Sequence, residues 1–85
     1  MKKVKVLGIY INERVKNAAG IQQILTNYGC SIRTRLGLHD VIDDYCNQGG
    51  LILLELTGDR AEWLKLENEL LTIDHLEVQK MEFNA

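Results

Sequence analysis

The sequence predicts an α+β fold, a four-stranded antiparallel sheet with two helices packed on one of its faces. Three observations carry this expectation. Apolar residues recur with a period of two in four stretches and at three- and four-residue steps in two others. The two patterns follow one another as strand, helix, strand, strand, helix, strand. The first and third strand stretches are apolar on both sides, the mark of central strands. The chain's 85 residues suit one domain, spanning 1–85. A domain of this size buries roughly 60% of its unfolded surface, so its core is modest.

The first strand, Val4 to Ile11, sets Val4, Val6, Gly8 and Tyr10 on one side and Lys5, Leu7, Ile9 and Ile11 on the other. Gly8 marks either a bulge or a close approach of another backbone. Asn12 is a natural N-cap, because its side-chain oxygen can accept from the free amides of the following turn. A helix is therefore expected over Glu13 to Tyr28, with Val15, Ala18, Ile21, Ile24, Leu25 and Tyr28 forming its apolar stripe. Gly20 inside it points to close packing on the sheet. Gly29 is placed to end the helix in a left-handed conformation.

The second strand, Ser31 to Leu38, alternates Ile32, Thr34, Leu36 and Leu38 against Arg33 and Arg35. The third, Leu51 to Thr57, is nearly continuous in apolar residues, with Glu55 the exception. Roughly twelve residues join them, more than a tight hairpin needs. Asp59-Arg60-Ala61-Glu62 reads as a capping box opening a helix that runs to about Leu71. Trp63, Leu66, Leu70 and Leu71 are expected inside, with Glu62, Lys65, Glu67 and Glu69 outside. In the last strand, Leu76 to Phe83, Leu76 and Val78 point one way and Met81 and Phe83 the other. A bulge near Gln79 or Lys80 would reconcile them.

With right-handed crossovers, these elements give the ferredoxin-like βαββαβ plait. One face of its sheet lacks a helix layer and carries either Leu7, Ile9 and Ile11 or Val6 and Tyr10, together with Leu51 and Leu53. Monomers rarely leave such a patch open, so a homodimer or homotetramer is expected.

Composition narrows the function classes. At 46% apolar and 26% charged, the chain is expected to fold rather than stay disordered. No apolar run approaches the ~20 residues a membrane-spanning helix needs. The basic start, Met1 to Lys5, runs straight into a strand pattern with no cleavage site behind it, so a cytoplasmic protein is expected. A net charge of −2 argues against direct nucleic-acid binding. RNA recognition through stacking on the sheet would need exposed aromatics on the first and third strands, where only Tyr10 is available. The charge is uneven, with seven basic residues and one acid before His39 and three basic and eleven acidic from there on. The halves either interleave and neutralise each other or meet as opposite patches across a subunit contact. Cys30 and Cys46 are too few for a disulfide framework and are expected as free thiols.

Three tracts resemble a known family. Tyr10-Ile11-Asn12-Glu13-Arg14, Arg35-Leu36-Gly37-Leu38-His39 and Gly50-Leu51-Ile52-Leu53-Leu54-Glu55-Leu56 look like the iron-only hydrogenase system regulators. These are small plait domains related to ACT domains and to the C-terminal domain of the nickel-responsive repressor. The resemblance implies an oligomeric, ligand-sensing regulatory module and not an enzyme. The repressor's His-x-His pair is missing here, and no residues remain for a ribbon-helix-helix arm. Any effect on transcription is therefore expected to run through a partner protein.

The candidate site residues follow. Asn12, Glu13 and Arg14 stand where an ACT-like domain binds a small effector at a subunit interface, and free helix amides favour an anionic group there. The other reading is a helix cap alone. Arg33 and Arg35 either guard an edge strand against aggregation or clamp a carboxylate or phosphate. His39 and Cys46, with Asp43 and Asp44, offer nitrogen, sulfur and oxygen ligands for nickel or zinc, the alternative function being a divalent-metal sensor. Against it, the spacing of His39 and Cys46 matches no known ligand pattern. A second alternative, a small acylphosphatase-like enzyme, lacks the glycine-rich phosphate loop after the first strand. No cofactor is named by the sequence. The partners expected are a second copy of the chain and a small anionic or amino-acid-like effector.

Overall fold

Strands β1 (Lys3–Ile11), β2 (Ile32–His39), β3 (Gly50–Leu56) and β4 (Glu77–Asn84) form a single antiparallel sheet in the order β2-β3-β1-β4. Helices α1 (Ala18–Asn27) and α2 (Arg60–Leu70) cover one face. The computed structural model describes residues 3–39 and 50–85. The expected plait is thus present, with β1 and β3 at the centre and β2 and β4 at the edges.

Side-chain alternation decides which residues reach the core. On the helix side of β1 lie Lys5, Leu7 and Ile9, and on that of β3 Ile52, Leu54 and Leu56. They pack against Ile21, Ile24 and Leu25 of α1 and Trp63, Leu66 and Leu70 of α2, with Ile73 closing one end. These apolar side chains leave water almost completely, each worth about 1.5–3 kcal/mol on burial.

The open face is also settled by register. Cross-strand partners share a face, and Val4 opposes Phe83, Val6 opposes Met81, Tyr10 opposes Leu51 and Leu36 opposes Leu53. Tyr10, Leu36, Met81 and Phe83 are 40–53% exposed. Of the two sets expected on the uncovered face, the one containing Val6, Tyr10, Leu51 and Leu53 lies there. Pairing of β4 with β1 is unbroken from Lys3↔Asn84 to Tyr10↔Glu77, so the bulge expected near Gln79 does not occur. Val78 faces the helices while Met81 and Phe83 face outward. The conflict in the sequence pattern was a strand with apolar residues on both sides.

The bulge is instead in β2, between Ile32 and Thr34. It turns Ile32 to the core and leaves Thr34 and Leu36 on the open face, correcting the expectation that all three share a side. Arg35, opposite buried Leu54, faces the helix layer, where its Nη2 donates to Gln22 Oε1 of α1.

Helix α1 starts later than expected. Asn12 does not cap it; Asn12 Oδ1 accepts from the Arg14 amide at 2.8 Å and its carbonyl accepts from the Val15 amide at 3.1 Å, closing a local turn. The cap is Asn17, whose Oδ1 accepts from the Gly20 amide at 3.0 Å. This cap explains Gly20 better than sheet packing does, because a Cβ there would lie 2.7 Å from Asn17 Oδ1. At its far end α1 runs into a short 3₁₀ turn, Gly29–Ser31, rather than a left-handed Gly29 cap. Helix α2 begins at the expected cap, with Asp59 accepting from the Ala61 amide at 2.9 Å. Leu71 is 60% exposed, against its expected burial, because it lies past the helix end.

Glu67 is the clearest departure. Expected outside, it is buried and holds Lys5 of β1 at 2.7 Å and Lys80 of β4 at 3.2 Å. Glu82 stands 3.5 Å from Lys5 on the other side. Burial pushes the Glu67 carboxyl up, but the hydrogen bonds and charges of Lys5 and Lys80 outweigh it and hold it below the usual glutamate range.

Candidate functional site

Two cavities lie at opposite ends of β1. The first is where Arg14, Lys16 and Asn17 meet the segment Thr72–His75, enclosing about 310 Å³. Its walls come from the β1–α1 turn and from the stretch between α2 and β4. Asn12 joins them: its Nδ2 donates to the His75 carbonyl at 3.2 Å while its Oδ1 holds the turn. His75 has φ 66°, a left-handed conformation uncommon for a residue with a side chain. The Asn12 bond is one contact that holds it there. The cavity lining thus includes two cationic residues, Arg14 and Lys16, and one acid, Asp74. Such a set is suited to a zwitterion, with carboxylate on one side and ammonium on the other.

Of the residues the sequence proposes for ligand binding, Arg14 lines this cavity and Asn12 shapes its wall, while Glu13 is exposed and outside it. Arg33 and Arg35 are elsewhere and apart. Arg35 is engaged with Gln22, and Arg33 lines the second cavity, at the start of β1. The two arginines thus have different surroundings, with the bulge between Ile32 and Thr34 falling at Arg33. Sequence reasoning misses Lys16, Asp74 and His75. The cavity joins segments about sixty positions apart, and no local pattern announces that proximity.

A third, shallower depression of about 250 Å³ lies on the open face, bordered by Gly8, Tyr10, Leu51, Glu77 and Gln79. Gly8 leaves it by lacking a side chain: a Cβ there would make ordinary contact with Leu53 Cδ2 at 3.7 Å. Pairing on both sides of β1 runs unbroken through Gly8, so no bulge lies there.

At the C-terminal end of α1, the Tyr28 hydroxyl donates to Glu69 Oε2 and links α1 to α2. That hydrogen bond, with burial and the nearby charge of Glu69, pushes the phenol up to about 12.

His39 ends β2, opposite Gly50. Cys46, Asp43 and Asp44 lie outside the described residues, and with them the arrangement of the expected metal ligands. Among the described residues no three His, Cys, Asp or Glu side chains cluster as a metal site. Cys30 is a free, exposed thiol in the turn after α1. No helix of the described residues is long and apolar enough to cross a membrane.

No protein-family model matches the chain, and no curated protein matches it. Solved structures do. An uncharacterized protein from Thermotoga maritima superposes with a TM-score of 0.79, covering 98% of this chain and 100% of its own, at 21% identity. A protein from Thermobifida fusca, described as dimeric, ferredoxin-like and of unknown function, superposes with a TM-score of 0.50, covering 98% of this chain and 91% of its own, at 8% identity. At such identities the likeness is one of architecture, and one architecture hosts many activities. What the sheet order, the helix layer and these superpositions establish together is that this chain is a ferredoxin-like α+β plait.

Proposed function

We propose that the protein is an oligomeric regulatory module that binds a small amino-acid-like or anionic effector and acts through a partner protein. The observation that carries this is the open face of the sheet. Tyr10, Leu36, Met81 and Phe83 stand exposed there beside half-buried Val4, Val6, Leu51 and Leu53. A contiguous apolar face of this kind is costly to leave in water. A second copy stacked face to face would cover it; the Thermobifida fusca protein is described as dimeric, which supports self-association. The resemblance of three tracts to the iron-only hydrogenase system regulators supports the regulatory reading. The effector would enter the cavity between Arg14, Lys16 and Asp74, whose mixed charge suits an amino acid. In this reading the protein is cytoplasmic, carries out no chemistry itself and touches no nucleic acid.

The test is light scattering coupled to size exclusion. A dimer or larger assembly is expected for the wild type, and monomer for Leu53→Asp, which places a charge in the middle of the open face. A monomeric wild type at micromolar concentration refutes the proposal. For the effector, amide shifts at Arg14, Lys16 and Asp74 on titration with a panel of amino acids are expected for at least one member.

A further inference from the structure

The second cavity, about 280 Å³ at the start of β1, gathers cations from three elements. Lys3 comes from β1, Arg33 from β2 and Arg60 from the first turn of α2. None of the three forms an ion pair with a carboxylate among the described residues. Glu55 is the one acid on the cavity wall, and its Oε1 accepts from Thr34 at 3.1 Å. Asp59, next in the chain to Arg60, directs its carboxylate to the Ala61 amide. The floor is fixed: the Trp63 indole donates to the Thr57 carbonyl at 2.7 Å and pins the turn through Gly58. Three like charges converging on one concavity repel each other, and a concave wall concentrates their field. Nothing in the core requires this, since Arg33 and Arg60 are exposed and were free to diverge.

We propose that this cavity is a binding site for a small multivalent oxyanion, a di- or triphosphate ester or a polycarboxylate. Three cations against one carboxylate leave a surplus that a monovalent anion does not neutralise. Arginine's planar fork matches both phosphate and carboxylate oxygens. The site is built from one copy's residues, so it is independent of self-association. A monomer that binds the anion would refute the preceding proposal and leave this one standing.

Trp63 is the chain's one tryptophan and lies in the cavity wall, so its fluorescence reports occupancy. The experiment titrates the full chain with inorganic pyrophosphate and, separately, with citrate, at low ionic strength. Sodium chloride at matched ionic strength serves as the control. Saturable change with either anion is expected. Pyrophosphate alone assigns the site to phosphate esters, citrate alone to polycarboxylates. Arg33→Gln and Arg60→Gln are each expected to weaken binding about tenfold, the usual effect of losing one charge-assisted hydrogen bond. Lys3→Gln should weaken it less, and Lys65→Gln, an exposed α2 residue that lines neither cavity, not at all. Circular dichroism checks that each variant is folded. The proposal is overturned if neither anion gives saturation, or if the Arg33 and Arg60 variants bind as the wild type does.

Discussion

Replacing Glu67 with glutamine should destabilise the protein far more than an ordinary surface change. The carboxylate is 11% exposed and sits between two ammonium groups, at 2.7 Å from Lys5 and 3.2 Å from Lys80. Lys80 is more than half exposed and can turn to water, but Lys5 is 7% exposed and cannot. Removing one partner of a buried pair typically costs about 3–5 kcal/mol, because the other charge is left without compensation. Glu82, 3.5 Å from Lys5, takes over part of that compensation, so the low end, about 3 kcal/mol, is expected. In a domain this small that lowers the melting temperature by roughly 12–24 °C. The assay is urea unfolding at fixed protein concentration, comparing midpoints and slopes. The double replacement Lys5→Met with Glu67→Leu supplies the contrast. It deletes the charge pair with its desolvation penalty and is expected to be neutral or stabilising. A loss under about 0.5 kcal/mol for Glu67→Gln would show that the pair behaves as a solvated surface contact, and would refute the reasoning.

Other expectations follow from the same structure. The depressed Glu67 carboxyl means that the unfolded chain binds its proton more readily than the folded one, so stability is present above the ordinary glutamate pKa and is lost as pH falls through the folded value; an acid unfolding series should show this loss in the wild type and lose it in Glu67→Leu. Tyr28 has the opposite sign, since its folded-state phenol is pushed up to about 12, and stability should fall as pH rises above about 10; Tyr28→Phe should remove that alkaline limb. Asn17→Ala should cost about 1 kcal/mol by removing the α1 cap. Gly20→Ala should be near neutral in the wild type, where the displaced cap offsets the gain in helix propensity, and stabilising by about 1 kcal/mol in the Asn17→Ala background. Additive behaviour in this cycle would mean that the two residues do not share the cap. Gly58→Ala, at φ 78°, should cost about 1–2 kcal/mol in a thermal melt.

The architecture was legible because period-two and helical patterns are local properties of the chain. Every strand and helix lies within a few residues of its expected place except the start of α1. There two asparagines competed, and Asn12 took the turn while Asn17 took the cap. What failed to read was pairwise. Glu67 seemed a surface residue by type, although it stands one position after Leu66 and three before Leu70, inside the buried stripe of α2. Lys5 likewise shares the buried phase of Leu7 and Ile9. Two opposite charges in buried phases were a signal that each had a partner. The cavity of Arg14, Lys16 and Asp74 had no comparable signal, because its two walls are brought together by the long-range β1–β4 pairing and the Asn12–His75 hydrogen bond.

That pairing bears on how the chain reaches its native state. Lys3 lies opposite Asn84, so the first strand of the plait completes one of its edges with the last. A contact spanning this much sequence is slow to form, because a long loop must close before any reward arrives. Once β3 has emerged it can pair with β1, but until β4 follows the other edge of β1 stays bare with Val4, Val6 and Tyr10 beside it. During that interval the nascent chain presents an unpaired apolar strand edge, the kind of template that recruits other chains. Truncation within β4 should prolong this state and yield insoluble protein.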